Sequence, residues 1–158
     1  MVVSAAPTAQ VLTMIRSAPD ALAAARAALR SRASDAVAPS ALTALVVGGD
    51  CLQQRFCESF LQTLGLKVDV AANAENGITA AARSAYSLLI VDARSRGFDA
   101  DLWTQVLEAT AARHSAPHPD VYVVVDEDSQ HRGLGDCRAI QHPIRAVNLV
   151  RAIERLSR

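Results

Sequence analysis

Short, mostly apolar runs alternate with helix-like segments along the chain from Ala41 onward. The runs are rich in β-branched residues and are bounded by polar or glycine-containing segments, which is the pattern of a buried strand. Strands that are mostly apolar along their length are typical of a parallel sheet that is covered on both faces. The predicted strands are Thr43–Val47, Lys67–Ala71, Ser87–Val91, Val121–Val125 and the weaker Arg138–Gln141.

Apolar residues recur at helical spacing between these runs. Leu52, Phe56, Phe60 and Leu64 share one helical face, and Gly65 follows at the position of a helix C-cap. Alternating strands and helices predict an α/β fold, with a flavodoxin-like, doubly wound, five-stranded parallel sheet in the order 2-1-3-4-5. Such folds carry function at the carboxyl ends of their strands. The predicted helices are Cys51–Leu64, Ala74–Ser84, Ala100–Ala112 and Ile144–Leu156.

Residues 1–40 contain no strand-like run and are predicted to form an N-terminal helical arm, separate from a domain that spans residues 41–158. One short helix is expected over Thr8–Arg16, and a second begins near Pro19 and ends at about Ala33. Two interpretations of this arm remain open, namely a small helical arm packed on its own domain and an arm for homodimerisation or docking. Both depend on an apolar seam at Val11, Ile15, Ala18, Leu22, Ala25 and Leu29.

Composition narrows the range of partners. Lys+Arg and Asp+Glu are both 16, so a formal net charge of zero favours neither nucleic acid nor an anionic membrane as a bulk partner. The N-terminus has no basic flank before an apolar stretch, which is not the pattern of a signal peptide, and a cytoplasmic protein is expected. Three cysteines without metal-site spacing fit reduced thiols.

Three stretches, in this order, resemble a CheY-like response-regulator receiver domain over about residues 42–157. They are LVVGGD after the first strand, LLIVDARSRGFDA around the third and GDCRAIQHPI around the fifth. In this resemblance Asp92 takes the place of the phospho-acceptor, Gly97 that of the loop glycine, and Asp99 that of the acid that begins the next helix. His142 and Pro143 stand where receivers carry Lys-Pro.

The resemblance also implies a set of pocket residues that this chain does not have. Receivers use an acid pair with the acceptor to hold a divalent cation, together with a lysine, a Ser/Thr hydroxyl and an aromatic residue. A lone carboxylate is a poor site for Mg²⁺, which prefers octahedral oxygen ligands, so we expect no metal, no cofactor and no enzymatic activity. The replaced pocket positions are Gly48, Gly49, Val125, Ala139 and His142.

A second departure from the receiver pattern lies between the fourth and fifth strands. Val125 and His142 are only 17 positions apart, and the segment between them is polar with two glycines. A receiver fits a full helix there, so this helix is predicted to be short or missing.

Three other features lie at the carboxyl ends of the strands. Asp50 and Gln53 have the spacing of a helix N-cap and its third helical residue, which predicts that Asp50 caps the following helix. The glycines Gly48 and Gly49 lack the spacing and the third glycine of a dinucleotide-binding fingerprint. His142 is read as a half-exposed histidine before a proline turn, with a pH-sensitive pair to Asp92 as the alternative.

These features favour a pseudo-receiver that acts without phosphorylation, as an adaptor for a signalling protein such as a histidine kinase, a regulator or a scaffold. One alternative is a ligand sensor that binds a cyclic dinucleotide such as c-di-GMP through Arg132, Arg138 and Arg145. Another is an atypical receiver that is still phosphorylated on Asp92.

Overall fold

A computed structural model describes residues 19–35, 42–126 and 137–156. Its centre is a five-stranded sheet in the order β2-β1-β3-β4-β5, and every neighbouring pair of strands is parallel. This arrangement confirms the predicted fold class and strand order. The strands are β1 Thr43–Val47, β2 Lys67–Ala71, β3 Leu88–Asp92, β4 Asp120–Val125 and β5 Arg138–Gln141.

The helices begin and end within two residues of the predicted bounds wherever the structure describes them. None of the helices in the described residues is long and apolar enough to cross a lipid bilayer. Residues 127–136, where the shortened helix was predicted, lie outside the described residues, as does the predicted helix at Thr8–Arg16. The helices are α1 Pro19–Asp35, α2 Cys51–Thr63, α3 Ala74–Arg83, α4 Ala100–His114 and α5 Ala146–Leu156.

Two apolar cores lie on opposite faces of the sheet because successive strand residues point to opposite sides. On one face, α2 and α5 pack Phe60, Leu149 and Ile153 against the strands. On the other face, α3 and α4 pack residues such as Trp103 and Leu107. Each central strand contributes to both cores, which explains why these runs are so apolar in the sequence.

The N-terminal helix α1 packs along α5 on the first of these faces. Ala25 is fully buried in that core, and neighbouring residues of α1 are partly buried against it. The described part of the predicted seam therefore faces the chain's own domain. Val11, Ile15 and Ala18 lie outside the described residues, and the homodimer stays a prediction. The partly buried neighbours are Ala21, Leu22, Ala28 and Leu29.

Candidate functional site

The carboxyl ends of β1, β2 and β3 border an open cleft of about 440 Å³. Gly49 and Asp50 line it from the loop after β1, and Asp92 and Arg94 line it from the end of β3 and the loop that follows. Asp92 is the last residue of β3, and it is 1% exposed. A carboxylate that is almost completely buried therefore lies at the bottom of the cleft.

Each of the two carboxylate oxygens of Asp92 accepts two hydrogen bonds. Arg94 donates from its backbone N–H to Asp92 Oδ1 at 2.9 Å and from Nε to the same oxygen at 3.0 Å. Its Nη2 donates to Asp92 Oδ2 at 2.8 Å, and Gln53 Nε2 donates to that oxygen at 3.2 Å. The guanidinium of Arg94 therefore grips the carboxylate with two parallel contacts, the geometry that makes arginine–carboxylate pairs strong.

This pairing decides the charge state of the acceptor position. Burial acts to raise the pKa of Asp92, but the hydrogen bonds and the positive charge of Arg94, with the hydrogen bond from Gln53, outweigh it. The pKa of Asp92 consequently lies below its ordinary value. The hydrogen bond to Asp92 in turn raises the pKa of Arg94. Asp92 and Arg94 form an ionised pair, which we call the Asp92–Arg94 ion pair.

The loop between β3 and α4 turns Arg94 back onto Asp92. The Ser95 N–H donates to the carbonyl of Asp92 at 3.0 Å, and the Phe98 N–H donates to the carbonyl of Ser95 at 3.2 Å. Gly97 supplies a left-handed residue, with φ of 81°. Asp99 then caps α4 by accepting from the Leu102 N–H at 3.2 Å. This short series of turns is what places the guanidinium over the end of its own strand.

The loop after β1 packs closely against the side chains of Ser95 and Gln53. Gly48 and Gly49 have φ of 70° and 85°, a conformation that favours glycine. A Cβ on Gly48 would collide with the Ser95 side chain, and a Cβ on Gly49 would lie 2.5 Å from Gln53 Nε2. These are the two positions that the resemblance assigns to the acid pair. An acid at either place would require the neighbouring side chains to move.

Asp50 caps α2, as predicted: its Oδ1 accepts from the Gln53 N–H at 2.8 Å. Its Oδ2 lies 3.9 Å from His142 Nε2. His142 is half-buried, and the carboxylate beside it is that of Asp50, so the alternative of an Asp92–His142 pair gains no support. The remaining pocket positions carry no polar side chain, since Val125 is buried at the end of β4 and Ala139 is exposed on β5.

Two of the three arginines proposed for nucleotide binding, Arg138 and Arg145, do not line the cleft. The Arg138 guanidinium lies 6.0 Å from the centre of the Tyr122 ring and 4.0 Å from Asp120 Oδ1. Arg145 is exposed at the start of α5, and Arg132 lies outside the described residues. Arg138 and Arg145 therefore give the nucleotide-binding alternative no support at the cleft.

Two residues of the site were missed by the sequence analysis. Arg94 was read only as part of the loop, and Gln53 only as the third residue of a capped helix. The available signal for Arg94 was a strong cation two positions after a carboxylate that has no other obvious counter-charge. Gln53 carried no signal beyond its place on the first turn of α2, which faces the carboxyl end of the sheet.

The magnesium ion that a receiver fold implies does not fit these residues. Mg²⁺ needs several oxygen ligands in near-octahedral geometry. Here both oxygens of Asp92 are engaged, Gly48 and Gly49 offer no side-chain oxygen, and Asp50 is committed to its helix cap. Within the described ranges, no group of three or more His, Cys, Asp or Glu residues is arranged to hold a metal ion.

Comparison with solved structures identifies the fold. The receiver domain of the sensor histidine kinase PA1611 from Pseudomonas aeruginosa, solved with magnesium in its active-site cleft, superposes with a TM-score of 0.60 and 20% identity over 75% of this chain and 98% of that one. The chemotaxis response regulator CheY4 of Vibrio cholerae gives a TM-score of 0.58 and 15% identity over 74% and 99%.

A third match comes from a complex of two proteins. The receiver domain of Ssk1 from Saccharomyces cerevisiae, solved together with the histidine phosphotransfer protein Ypd1, gives a TM-score of 0.62 and 14% identity over 74% of this chain and 89% of that one. No protein-family model and no curated protein matches the sequence. The chain has the fold of response-regulator receiver domains.

Proposed function

We propose that this receiver-fold chain is a pseudo-receiver: a non-enzymatic, protein-binding module of two-component-type signalling that works without phosphorylation of Asp92. The single observation that carries the proposal is the Asp92–Arg94 ion pair. The residue at the acceptor position is bound by a cation from its own chain. The two glycines after β1 support the proposal, because they supply no side-chain oxygen for a metal.

The chemistry of phosphoryl transfer explains why this pairing matters. A carboxylate that attacks a phosphoryl group needs a free oxygen lone pair, an in-line approach for an anionic donor and a cation that neutralises the transferring charge. Asp92 is 1% exposed, and its oxygens already accept hydrogen bonds from Arg94 and Gln53. Attack would require the ion pair to open first, which adds its free energy to the barrier.

The proposed partners are signalling proteins, such as a histidine kinase, a regulator or a scaffold. The Ssk1 receiver bound to Ypd1 supports this class of partner, because it is a receiver fold docked on another signalling protein. The Asp92–Arg94 ion pair blocks the acceptor position but leaves the outer surface of the receiver fold able to bind a partner protein. In this proposal the protein acts in the cytoplasm, and its output is set by binding and not by phosphorylation.

The test is phosphorylation with a small donor. Wild-type protein is incubated with Mg²⁺ and acetyl phosphate, or with beryllofluoride, and the intact mass and the NMR spectrum are recorded. The PA1611 receiver serves as the positive control, and Asp92→Asn controls for labelling at other residues. We expect no stoichiometric modification of the wild type. A stoichiometric acyl phosphate on Asp92 would show instead that the chain is an atypical, phosphorylated receiver.

A further inference from the structure

The cleft contains a buried carboxylate at a place where a receiver fold implies a cation, yet its residues do not fit magnesium. A buried charge without compensation is costly, and here the compensation comes from within the chain. Arg94 supplies a planar, permanently charged group whose two nitrogens match the two oxygens of Asp92. The positive charge that compensates Asp92 therefore belongs to the same polypeptide chain and is not a bound ion.

The same arginine reaches a second strand. Arg94 Nη1 donates to Asp126 Oδ1 at 3.4 Å, and Asp126 directly follows the last residue of β4. The side chains of Asp92, Arg94 and Asp126 are 1%, 32% and 57% exposed, so the contact with Asp92 is the strong one and the contact with Asp126 is weaker. Together they connect the end of β3, the loop after it and the end of β4.

We propose that Arg94 is a built-in substitute for the metal ion, a positioning residue that acts through Asp92 and holds the loop between β3 and α4 in one permanent conformation. This inference rests on the proposed function and deepens it. A bound metal comes and goes with its concentration, whereas a guanidinium two residues away in the same chain is always present. The state of the loop, and of the surface that a partner meets there, is then independent of magnesium and of phosphodonors.

The loop provides its own reporters for a test. The Ser95 and Phe98 amides donate the hydrogen bonds that close it, so their exchange with solvent deuterium measures how often it opens. In Arg94→Ala we expect these two amides to exchange about tenfold faster or more, since charge-assisted hydrogen bonds are lost. Arg96→Ala, in the same loop and also lining the cleft, is the matched control and is expected to exchange like the wild type.

Adding free guanidinium to Arg94→Ala tests whether Arg94 acts through its charged group or only through its packing. Guanidinium chloride, added to Arg94→Ala well below denaturing concentrations, is expected to slow exchange at Ser95 and Phe98 again, while equal sodium chloride does not. Arg94→Lys keeps the charge without the planar fork, and an exchange rate between those of the wild type and Arg94→Ala is expected. If Arg94→Ala does not fold stably, the Arg94→Lys comparison with Arg96→Lys carries the test alone.

Three outcomes overturn the inference: unchanged exchange in Arg94→Ala, rescue by sodium chloride as well as by guanidinium, or slower exchange in the wild type when magnesium chloride is added. These outcomes are distinct from a failure of the proposed function, which is read from labelling of wild-type Asp92. If the loop opens equally often in Arg94→Ala and Arg96→Ala, Arg94 does not hold the loop, but the proposal of an unphosphorylated adaptor is unaffected. Phosphorylation of Asp92 in the wild type would contradict both the proposed function and the role of Arg94.

Discussion

The Ser95 side chain fills the space that a side chain on Gly48 would need. Gly48 directly follows the first strand and Ser95 lies in the loop after the third, so these two loops of the site are packed against each other. A Cβ on the neighbouring Gly49 would likewise meet the Gln53 amide, so the present arrangement of side chains suits glycine at both positions. The cleft itself stays open, and only the space directly beside the two glycines is occupied.

Gly48→Ala is expected to destabilise the fold more than Gly97→Ala. Both glycines have positive φ, so both variants pay about 1 kcal/mol for a left-handed alanine. Only Gly48 has close neighbours, while a Cβ on Gly97 meets nothing within 4 Å. Displacing the Ser95 hydroxyl at Gly48 adds about 1 kcal/mol, the low end of the cost of overpacking. Urea denaturation of the two variants measures the difference directly, and equal losses would contradict the close packing at Gly48.

Asp92→Asn is expected to lower the free energy of unfolding at neutral pH by about 1–3 kcal/mol, because Arg94 and Gln53 both lose a charged acceptor. The effect depends on pH. The pKa of Asp92 is lowered in the folded state, so its contribution is complete above the ordinary carboxyl pKa of about 4 and is lost as the pH falls through the lower folded value.

The measurement is a series of urea denaturation curves for wild type and Asp92→Asn between neutral and strongly acidic pH. The gap between the two proteins should close towards acid. Glu154→Gln, an exposed change on α5, is the control and should shift stability by less than about 0.5 kcal/mol. A gap that stays constant down to the lowest pH would mean that the carboxylate charge does not stabilise the fold.

The cysteines should differ strongly in reactivity. Burial, with a smaller effect of the Asp50 charge, raises the pKa of Cys57 to about 12, so almost no thiolate exists at neutral pH. Cys51 is exposed at the start of α2. A thiol reagent such as Ellman's reagent should modify Cys51 quickly and Cys57 only on unfolding. Cys51→Ser should remove that fast reaction, and rapid modification of Cys57 in folded protein would contradict its burial.

The packing of α1 is tested by a charge placed on its buried face. Ala25→Glu puts a carboxylate into the core between α1 and α5, and we expect a loss of about 2–4 kcal/mol or detachment of the helix. Ala24→Glu, one position earlier and exposed, is the matched control and should be close to neutral. Circular dichroism with urea denaturation measures both. Equal behaviour of the two variants would show that α1 does not rest on α5.

The strands were the most predictable part of this chain, for a physical reason. Val46 and Ile90 face one core while Val47 and Val91 face the other, so the central strands are apolar along their whole length and stand out from the helices. The order of the sheet did not follow from these runs alone. It followed from the alternation of strands with helices, which leaves few topologies at this size.

The site was only partly predictable. Asp92, Gly48 and Gly49 were found because their places follow directly from the ends of strands. Arg94 was missed because its contact depends on the turns of an irregular loop, and hydrophobic periodicity carries no information about where a loop side chain points. Gln53 was missed for a related reason, since its capped helix explained its spacing and concealed its amide contact with Asp92.

Asp92 and Arg94 are separated by a single residue, and this closeness has a use beyond the present chain. The carboxylate and its counter-ion form a three-residue unit, Asp-Ala-Arg, that any sequence can be inspected for by eye. Among distant members of this architecture, a double glycine after the first strand combined with an arginine two places beyond the aspartate that ends the third strand would mark candidates for the same ion pair.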